Sequence, residues 1–457
     1  MSAILFREVE VDGRVLDVRV RDGLVDRLAP HLGADGASDS VEIVEGNGGA
    51  LMPGLHDHHV HLLALAAQLT SVDLSGVADE AALGEALGAG PRVGGWVRAT
   101  GYHESIAGEL DRARLDRIAG DVPLRVQHRS GALWMLNSAA LDRVAAQLDH
   151  SPDVERDDSG RPTGRLWRYD ARLRPGLPDV PPDLAPVGRL LAGLGITGVT
   201  DATPALEPGA IQLLGDAHAS GALPQSILLL GAQTDAALPS GLRVGPRKLL
   251  LHDHDLPTYD DLAATVRASH GEGRAVAVHC VTRHSLVLTL AVLEEVGVLP
   301  GDRIEHASIA APDVAAWMAA LGVAVVTQPD FLRTRGHDYR REVDPGDLPD
   351  LYPHARLLSA GVRVTPSSDA PYGALDPWQA ILTASDRPLS PAESVAPAEA
   401  LAGYLSPPLD PGGRPRQVAP GAPADLVLLT RPLTEALLSP RADLVRSTWV
   451  AGHRITP

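Results

Sequence analysis

Lysine is almost absent from this chain. Of its 40 basic side chains only one, Lys248, is a lysine, and the others are arginines. The two residue types replace each other on most protein surfaces, but a guanidinium stays protonated, whereas a desolvated lysine amine can lose its proton and become a nucleophile. Lys248 is therefore a candidate for covalent chemistry, as a Schiff base or as a carbamate formed with carbon dioxide. The alternative is that one lysine has survived by chance in an arginine-biased chain.

Cysteine and aromatic residues are also scarce. Cys280 is the only cysteine, which excludes an intramolecular disulfide and a cysteine-based zinc cluster. Aromatic residues make up 3% of the chain, and Phe6 and Phe331 are the only phenylalanines. The hydrophobic cores must therefore be built mainly from alanine, valine and leucine.

Positive charge and long apolar runs are lacking as well. The formal net charge is −18, which argues against nucleic acid or an anionic membrane as a partner, because both need a basic patch. No apolar run of about 18 residues is present, and residues 1–8 lack the pattern of a signal peptide. We therefore expect a cytoplasmic protein that acts on a small molecule. Its oligomeric state is open, with a homo-oligomer as one alternative.

Segments with β-strand character occupy both ends of the chain. In residues 1–50, apolar and polar residues alternate in short runs, which turn pairs such as Asp12-Gly13 separate. The segments 424–429 and 445–452 look similar. Each end is too short to bury a core alone, so we predict that residues 1–52 and 406–457 pair into one small β domain.

The middle of the chain alternates apolar strands with helical stretches, which is typical of repeated βα units. Eight candidate strands indicate an α/β protein with a (β/α)₈ TIM barrel. They lie near residues 55–61, 198–200, 226–230, 248–251, 275–279, 303–306, 323–326 and 362–365. His61 and Lys248 are 187 positions apart (248 − 61), whereas three βα units need only roughly 90. We therefore predict an insertion at 67–185, after the first strand, and a barrel built from 53–66 and 186–405.

The strongest local motif is a histidine cluster at 53–61, which reads Pro-Gly-Leu-His-Asp-His-His-Val-His. On a strand, residues two apart share a face, so His59 and His61 project together, with Asp57 below them. Two imidazoles at this spacing chelate a divalent cation well. A surface patch that binds metal adventitiously is the alternative, but this cluster lies inside the chain between a Pro-Gly turn and an apolar segment.

Three further candidates follow predicted strands. His279 and His306 end the fifth and sixth strands, and Asp369 follows the eighth. Taken singly, each histidine is as well explained as a core residue and the aspartate as a turn or cap residue. Together with Lys248 they lie at the carboxyl ends of barrel strands, where such barrels keep their active sites. A carboxylated Lys248 would offer two oxygens and could bridge two metal ions.

These motifs together resemble the amidohydrolase superfamily, closest to its amidohydrolase 3 (YtcJ-like) branch. The matching segments span essentially the whole chain, from the histidine cluster through 277–283, 301–313 and 367–373 to 419–429. The resemblance implies a metal-dependent barrel with a β-sandwich made from both termini. It also implies His59 and His61 on one metal, His279 and His306 on the other, a bridging carboxylated Lys248, and Asp369 as ligand and proton shuttle.

The insertion is expected to cover the barrel mouth and to supply contacts to a substrate. The candidates for these contacts are Trp96, His103, His128, Trp134 and Asn137.

The function hypothesis is hydrolysis of an amide-like C–N bond. A hydroxide held between two divalent cations, with zinc as the first expectation, would attack the carbonyl carbon. Asp369 would accept its proton and pass it to the leaving amine. Three alternatives stay open: a metal-dependent deaminase on the same barrel, a lyase that uses Lys248 as a Schiff base, and a barrel that binds metal without catalysis.

Overall fold

The computed structural model describes residues 3–33, 41–233 and 238–456. The chain divides into two compact units. One comprises Met1–Leu62 and Leu184–Pro457, and the other comprises Leu63–Asp183. None of the helices in the described ranges is both long and apolar enough to cross a membrane.

Two four-stranded sheets in the first unit are built largely from the chain ends. In spatial order, one contains Leu24–Ala29, Arg14–Arg21, Ala3–Val11 and Val41–Glu45, and the other contains His453–Arg454, Val445–Val450, Leu426–Leu429 and Leu51–Pro53. Both sheets contribute to one apolar core. Within this core the ring of Phe6 meets that of Trp449 edge-on, with ring centroids 4.8 Å apart. The two terminal segments thus share one apolar core, which neither segment is long enough to form alone.

The other strands of this unit form two sheets in which every pair is parallel. In spatial order, the first contains Leu242–Val244, Ser226–Leu229, Ile196–Asp201 and Leu55–Val60, and the second contains Arg247–Leu250, Val276–Cys280, Arg303–His306, Ala324–Thr327 and Arg363–Pro366. Eight of these strands lie where the sequence predicts β structure. The ninth, Leu242–Val244, was not predicted. It precedes the predicted fourth strand, Arg247–Leu250, and Gly245-Pro246 separates the two, since proline has no N–H for a ladder hydrogen bond.

Backbone contacts link the two parallel sheets at both of their edges. On one side, Lys248 N donates to Leu230 O at 3.2 Å. On the other side, Val60 forms a parallel bridge with Ala370, and His61 N donates to Ala370 O at 2.8 Å. The first and last strands are thereby placed side by side.

Helices follow most of the parallel strands. The α-helices of this unit are Ala185–Gly193, Pro208–Ala219, Tyr259–Gly271, Arg283–Val296, Pro312–Leu321, Phe331–Thr334, Gly336–Glu342, His354–Ala360, Pro377–Ser385, Pro397–Tyr404 and Leu433–Ala436. Short 3₁₀ helices cover Leu348–Asp350, Pro391–Glu393 and Ala442–Leu444. Thr282 caps one helix, because its side chain accepts a hydrogen bond from Ser285 N.

The second unit has its own sheet and cores. Its seven strands are Val72–Asp73, Arg92–Val93, Trp96–Tyr102, Leu124–His128, Leu133–Leu136, Val154–Arg156 and Pro162–Trp167, and its helices are Glu80–Ala89, Glu104–Ala107, Arg112–Ala119, Ser138–Arg143 and Asp170–Leu173, with 3₁₀ turns at Ala145–Gln147 and Arg174–Gly176. A further helix, Leu62–Leu69, runs from the end of the first parallel strand into this unit. Two apolar clusters pack within the unit. The sequence predicted only an insertion here and not its mixed sheet.

Candidate metal centre

The strand Leu55–Val60 places the histidine motif. His59 is fully buried at the end of this strand, and His61 follows it. The carboxylate of Asp57 accepts hydrogen bonds from His59 N at 3.1 Å and from Ser368 N at 3.3 Å. Asp57 thereby ties the first strand to the segment that follows the last one.

Three ligand-type atoms converge at this junction. The Oδ1 atom of Asp369 lies 3.2 Å from Nε2 of His61 and 3.4 Å from Nε2 of His59. The three side chains offer ligand atoms that all lie within 4.8 Å of one another. Two imidazole nitrogens and a carboxylate oxygen at such distances match the ligand types and spacing of a zinc-like cation.

The other three candidate ligands lie against this group. Nζ of Lys248 is 3.4 Å from Nε2 of His59. The ring centroid of His306 is 4.9 Å from that of His59 and 4.4 Å from that of His279. The structure therefore brings together all six residues that the sequence selected as metal ligands.

Two polar atoms in this cluster support a cation there. Oδ1 of Asp369 and Nε2 of His306 are buried and have no hydrogen-bond partner among the described residues. Buried polar atoms without a partner are uncommon in folded proteins, and each one calls for an explanation. A carboxylate oxygen and an imidazole lone pair left bare beside further imidazoles fit divalent cations well.

Burial keeps the imidazoles neutral. Burial lowers the pKa of His59 to about 3, with a further contribution from Lys248. Burial, with the neighbouring His306, lowers the pKa of His279 to about 2. It also lowers the pKa of His306. At neutral pH each of these rings therefore keeps a lone pair for a ligand.

The pKa values of Asp369 and Lys248 are lowered as well. Burial alone would raise the pKa of Asp369, but the imidazoles of His59, His61 and His306 outweigh it and lower the pKa overall. Burial lowers the pKa of Lys248, although Glu305 and Asp369 partly oppose this. The site therefore contains both a carboxylate that stays ionised, that of Asp369, and an amine that loses its proton more readily, that of Lys248.

Glu305 and Gln328 contact the candidate ligands, although no sequence pattern indicated them. Glu305 Oε2 contacts Nδ1 of His59, and its other oxygen accepts a hydrogen bond from Arg303 Nε at 2.6 Å. Gln328 Oε1 lies 2.6 Å from Nδ1 of His306. A carboxylate or an amide on the distal nitrogen of a histidine fixes the orientation and tautomer of that ring.

The backbone is unusual directly after Glu305. Strand alternation predicts that Glu305 and His306 face opposite sides of the sheet. His306 instead has φ +73° and the next residue, Ala307, has φ +47°, so the strand ends in a left-handed bend. Asp369 has φ +53°. Such conformations are costly for residues other than glycine and cluster at functional sites.

The substrate-contact candidates belong to the second unit, where three of them are core residues. Trp96 and Trp134 are buried, and the indole N–H of Trp134 donates to Asp170 at 2.7 Å. Asn137 is fully buried, and its amide makes four hydrogen bonds to backbone groups. We therefore assign structural roles to these three residues and do not retain them as ligand contacts.

The other two candidates lie at neighbouring strand ends. His103 follows the strand Trp96–Tyr102, and His128 ends the parallel strand beside it. Nε2 of His128 lies 3.2 Å from a carboxylate oxygen of Glu104. Nε2 of His103 is 3.8 Å from the same oxygen. Both rings are more accessible than the core residues of this unit.

Known proteins resemble this chain over most of its length. A family model described as the amidohydrolase family matches residues 42–456. The N-substituted formamide deformylase of Arthrobacter pascens is 28% identical over 509 residues, which cover 91% of this chain and 90% of that protein. YtcJ of Bacillus subtilis (strain 168), an amidohydrolase by name, is 24% identical and covers 84% of this chain and 82% of its own.

A solved structure shares the fold. The crystal structure of a metal-dependent hydrolase from Pyrococcus horikoshii OT3 has a TM-score of 0.73, covers 99% of each chain and is 20% identical. The family model spans far more than half of the sequence and includes every residue of the site described above. This chain is therefore an enzyme of the amidohydrolase family, in the branch that includes YtcJ.

Proposed function

We propose that this enzyme hydrolyses an amide-like C–N bond of a small molecule with the help of two divalent cations. The observation that carries the proposal is the convergence of His59, His61 and Asp369. The bare ligand atoms of Asp369 and His306 support it. One relative is named for removing the formyl group from N-substituted formamides, and that is the bond type we propose.

In this proposal His59 and His61 hold one cation together with Asp369, and His279 and His306 hold the other. Zinc suits this combination of imidazole and carboxylate ligands. Lys248 would contribute as a carbamate, which would supply oxygen ligands. The buried amine of Lys248, whose pKa is lowered, favours this modification, since only the neutral amine reacts with carbon dioxide and a proton is released as the C–N bond forms.

The side chains around the cations have separate tasks. Bound cations would act as Lewis acids that polarise the substrate carbonyl and make a water molecule more acidic. Asp369 accepts a proton on its carboxylate and later gives it to the departing nitrogen, first as base and then as acid. Glu305, held by Arg303, keeps the His59 ring in place.

We also propose that the parallel strands close into a (β/α)₈ barrel formed by 53–66 and 186–405. Their edge contacts, Lys248 with Leu230 and Val60 with Ala370, support closure. The two terminal sheets, from 1–52 and 406–457, form a β-sandwich around their shared core.

The test combines metal analysis with a substrate screen. The purified protein is expected to contain two zinc ions per chain and to hydrolyse members of a panel of N-formyl and N-acyl compounds, cyclic amides and esters. A chelator should abolish this activity, and zinc should restore it. His59→Ala should lose metal and activity, whereas His453→Ala, which changes an exposed histidine, should keep both. A fully active protein without divalent metal would refute the proposal.

A further inference from the structure

Gln328 is a buried residue at the carboxyl end of the strand Ala324–Thr327. Its Oε1 atom lies 2.6 Å from Nδ1 of His306. A buried glutamine is costly unless its amide is fully paired. The hydrogen-bond partners of this amide therefore indicate the role of Gln328.

The hydrogen bonds of Gln328 fix which end of its amide faces His306. Its Nε2 donates to Ser367 Oγ at 2.9 Å and to the backbone oxygen of Val326 at 3.4 Å. Ser367 Oγ in turn donates to Thr327 O at 3.3 Å, so it is free to accept. A reversed amide would place its oxygen against the Val326 carbonyl. The carbonyl end must therefore point towards His306.

An amide oxygen can only accept, so His306 must carry its proton on Nδ1. Its lone pair is then on Nε2, the buried atom that lacks a hydrogen-bond partner among the described residues. Gln328 thus selects the tautomer that can bind a cation and holds the ring in position. Without this acceptor the ring could take up the other tautomer, which presents an N–H to the site.

His59 has a different partner. Its Nδ1 contacts the carboxylate of Glu305, which Arg303 holds from the other side. A charged acceptor makes the far nitrogen of an imidazole a more basic ligand than a neutral amide does. His59 therefore has a charged hydrogen-bond partner, whereas His306 has a neutral one.

We propose that Gln328 is the positioning residue of His306, and that its neutral amide makes the His279–His306 side the weaker of the two cation positions. The proposal rests on the metal centre of the proposed function. It predicts that the two zinc ions leave the protein at different chelator concentrations.

The first test replaces Gln328 by methionine, which has a similar length but offers no comparable acceptor. Zinc per chain is measured by elemental analysis after dialysis against graded chelator. Gln328→Met should bind one of its two ions roughly 10–100-fold more weakly, and the other as the wild type does. The matched control is Gln225→Met, since Gln225 is also fully buried but donates to Gly188 O at 3.0 Å. It should retain zinc like the wild type.

The second test is Gln328→Glu, which replaces the amide oxygen that faces His306 by a charged acceptor. This variant should retain the weaker ion at least as tightly as the wild type. If Gln328→Met does not fold, zinc retention by Gln328→Glu still tests the proposal. Normal zinc retention in Gln328→Met, or loss of the ion in Gln328→Glu, would overturn the proposal while leaving the proposed function intact. A wild-type protein that binds no zinc would overturn both.

Discussion

The Nζ atom of Lys248 lies 3.4 Å from Nε2 of His59. The two residues belong to the fourth and the first of the parallel strands, so tertiary folding alone brings them together. Both side chains are buried, with 8% and 1% of their surface exposed. An amine in this position has little access to water and direct access to the imidazoles that we propose as metal ligands.

Replacing Lys248 by arginine should therefore remove the second cation and most of the activity. A guanidinium keeps the positive charge but stays protonated, so it cannot take up carbon dioxide. Wild-type protein equilibrated with ¹³C-bicarbonate should show a carbamate resonance that Lys248→Arg lacks. Full zinc content and activity in the variant would exclude the carbamate, and a product trapped on Lys248 by borohydride would point to Schiff-base chemistry instead.

Replacing Asp369 by asparagine should abolish turnover while most of the metal stays bound. The amide keeps an oxygen near His61 but cannot accept the proton, and loss of a general base costs about 10²–10⁴-fold in rate. Steady-state kinetics and elemental analysis on the same sample check this. The control is Asp386→Asn, which changes an exposed aspartate of the same unit. Unchanged kcat in the Asp369 variant would end its assignment as proton shuttle.

Replacing Glu305 by leucine should destabilise the metal-free protein by about 3–5 kcal/mol, because removal of one partner leaves a buried charge unpaired. Arg303 is the group affected, since it donates to Glu305 at 2.6 Å and is only 1% exposed. The free energy of unfolding from urea titrations measures the change. Glu342→Gln, which alters an exposed ion pair, should have little effect. A similarly small effect for Glu305→Leu would contradict the role assigned to this pair.

His354 should make folding stability depend on pH. Burial lowers the pKa of His354 from 6.5 to about 3. Between these values the unfolded chain binds a proton that the folded chain does not, so stability falls as pH decreases through this range. This group alone should cost about 2 kcal/mol between pH 6.5 and pH 5.

The measurement for His354 compares urea unfolding of the wild type and His354→Leu at both pH values. Stability of the variant should depend less on pH, whereas His453→Leu, which changes an exposed histidine, should behave like the wild type. Equal pH dependence in the wild type and the His354 variant would show that His354 titrates normally in the folded protein.

The sequence predicted the parallel strands and the residues at their ends because both follow from local patterns. His59 and His61 share a face through strand alternation, and Lys248 is singled out by its rarity. The partners of these residues could not be predicted in the same way. The backbone turns left-handed at His306, so strand alternation alone does not predict that Glu305 and His306 both contact the site.

The second unit shows another reason why local sequence patterns do not predict the whole structure. Several of its strands have only two to four residues, such as Val72–Asp73 and Leu133–Leu136. Such strands are too short to show a clear alternation of apolar and polar residues. Asn137 looked like a ligand contact from its neighbours in sequence. Its four hydrogen bonds to the backbone arise from chain segments that only the fold brings together.

Anomalous X-ray diffraction at the zinc edge, from crystals of the zinc-loaded wild type, would locate the two proposed cations. We expect one peak in contact with His59, His61 and Asp369 and a second beside His279 and His306, with continuous density from Lys248 to both. Absence of any peak among these side chains, or an unmodified lysine pointing away from them, would contradict this expectation.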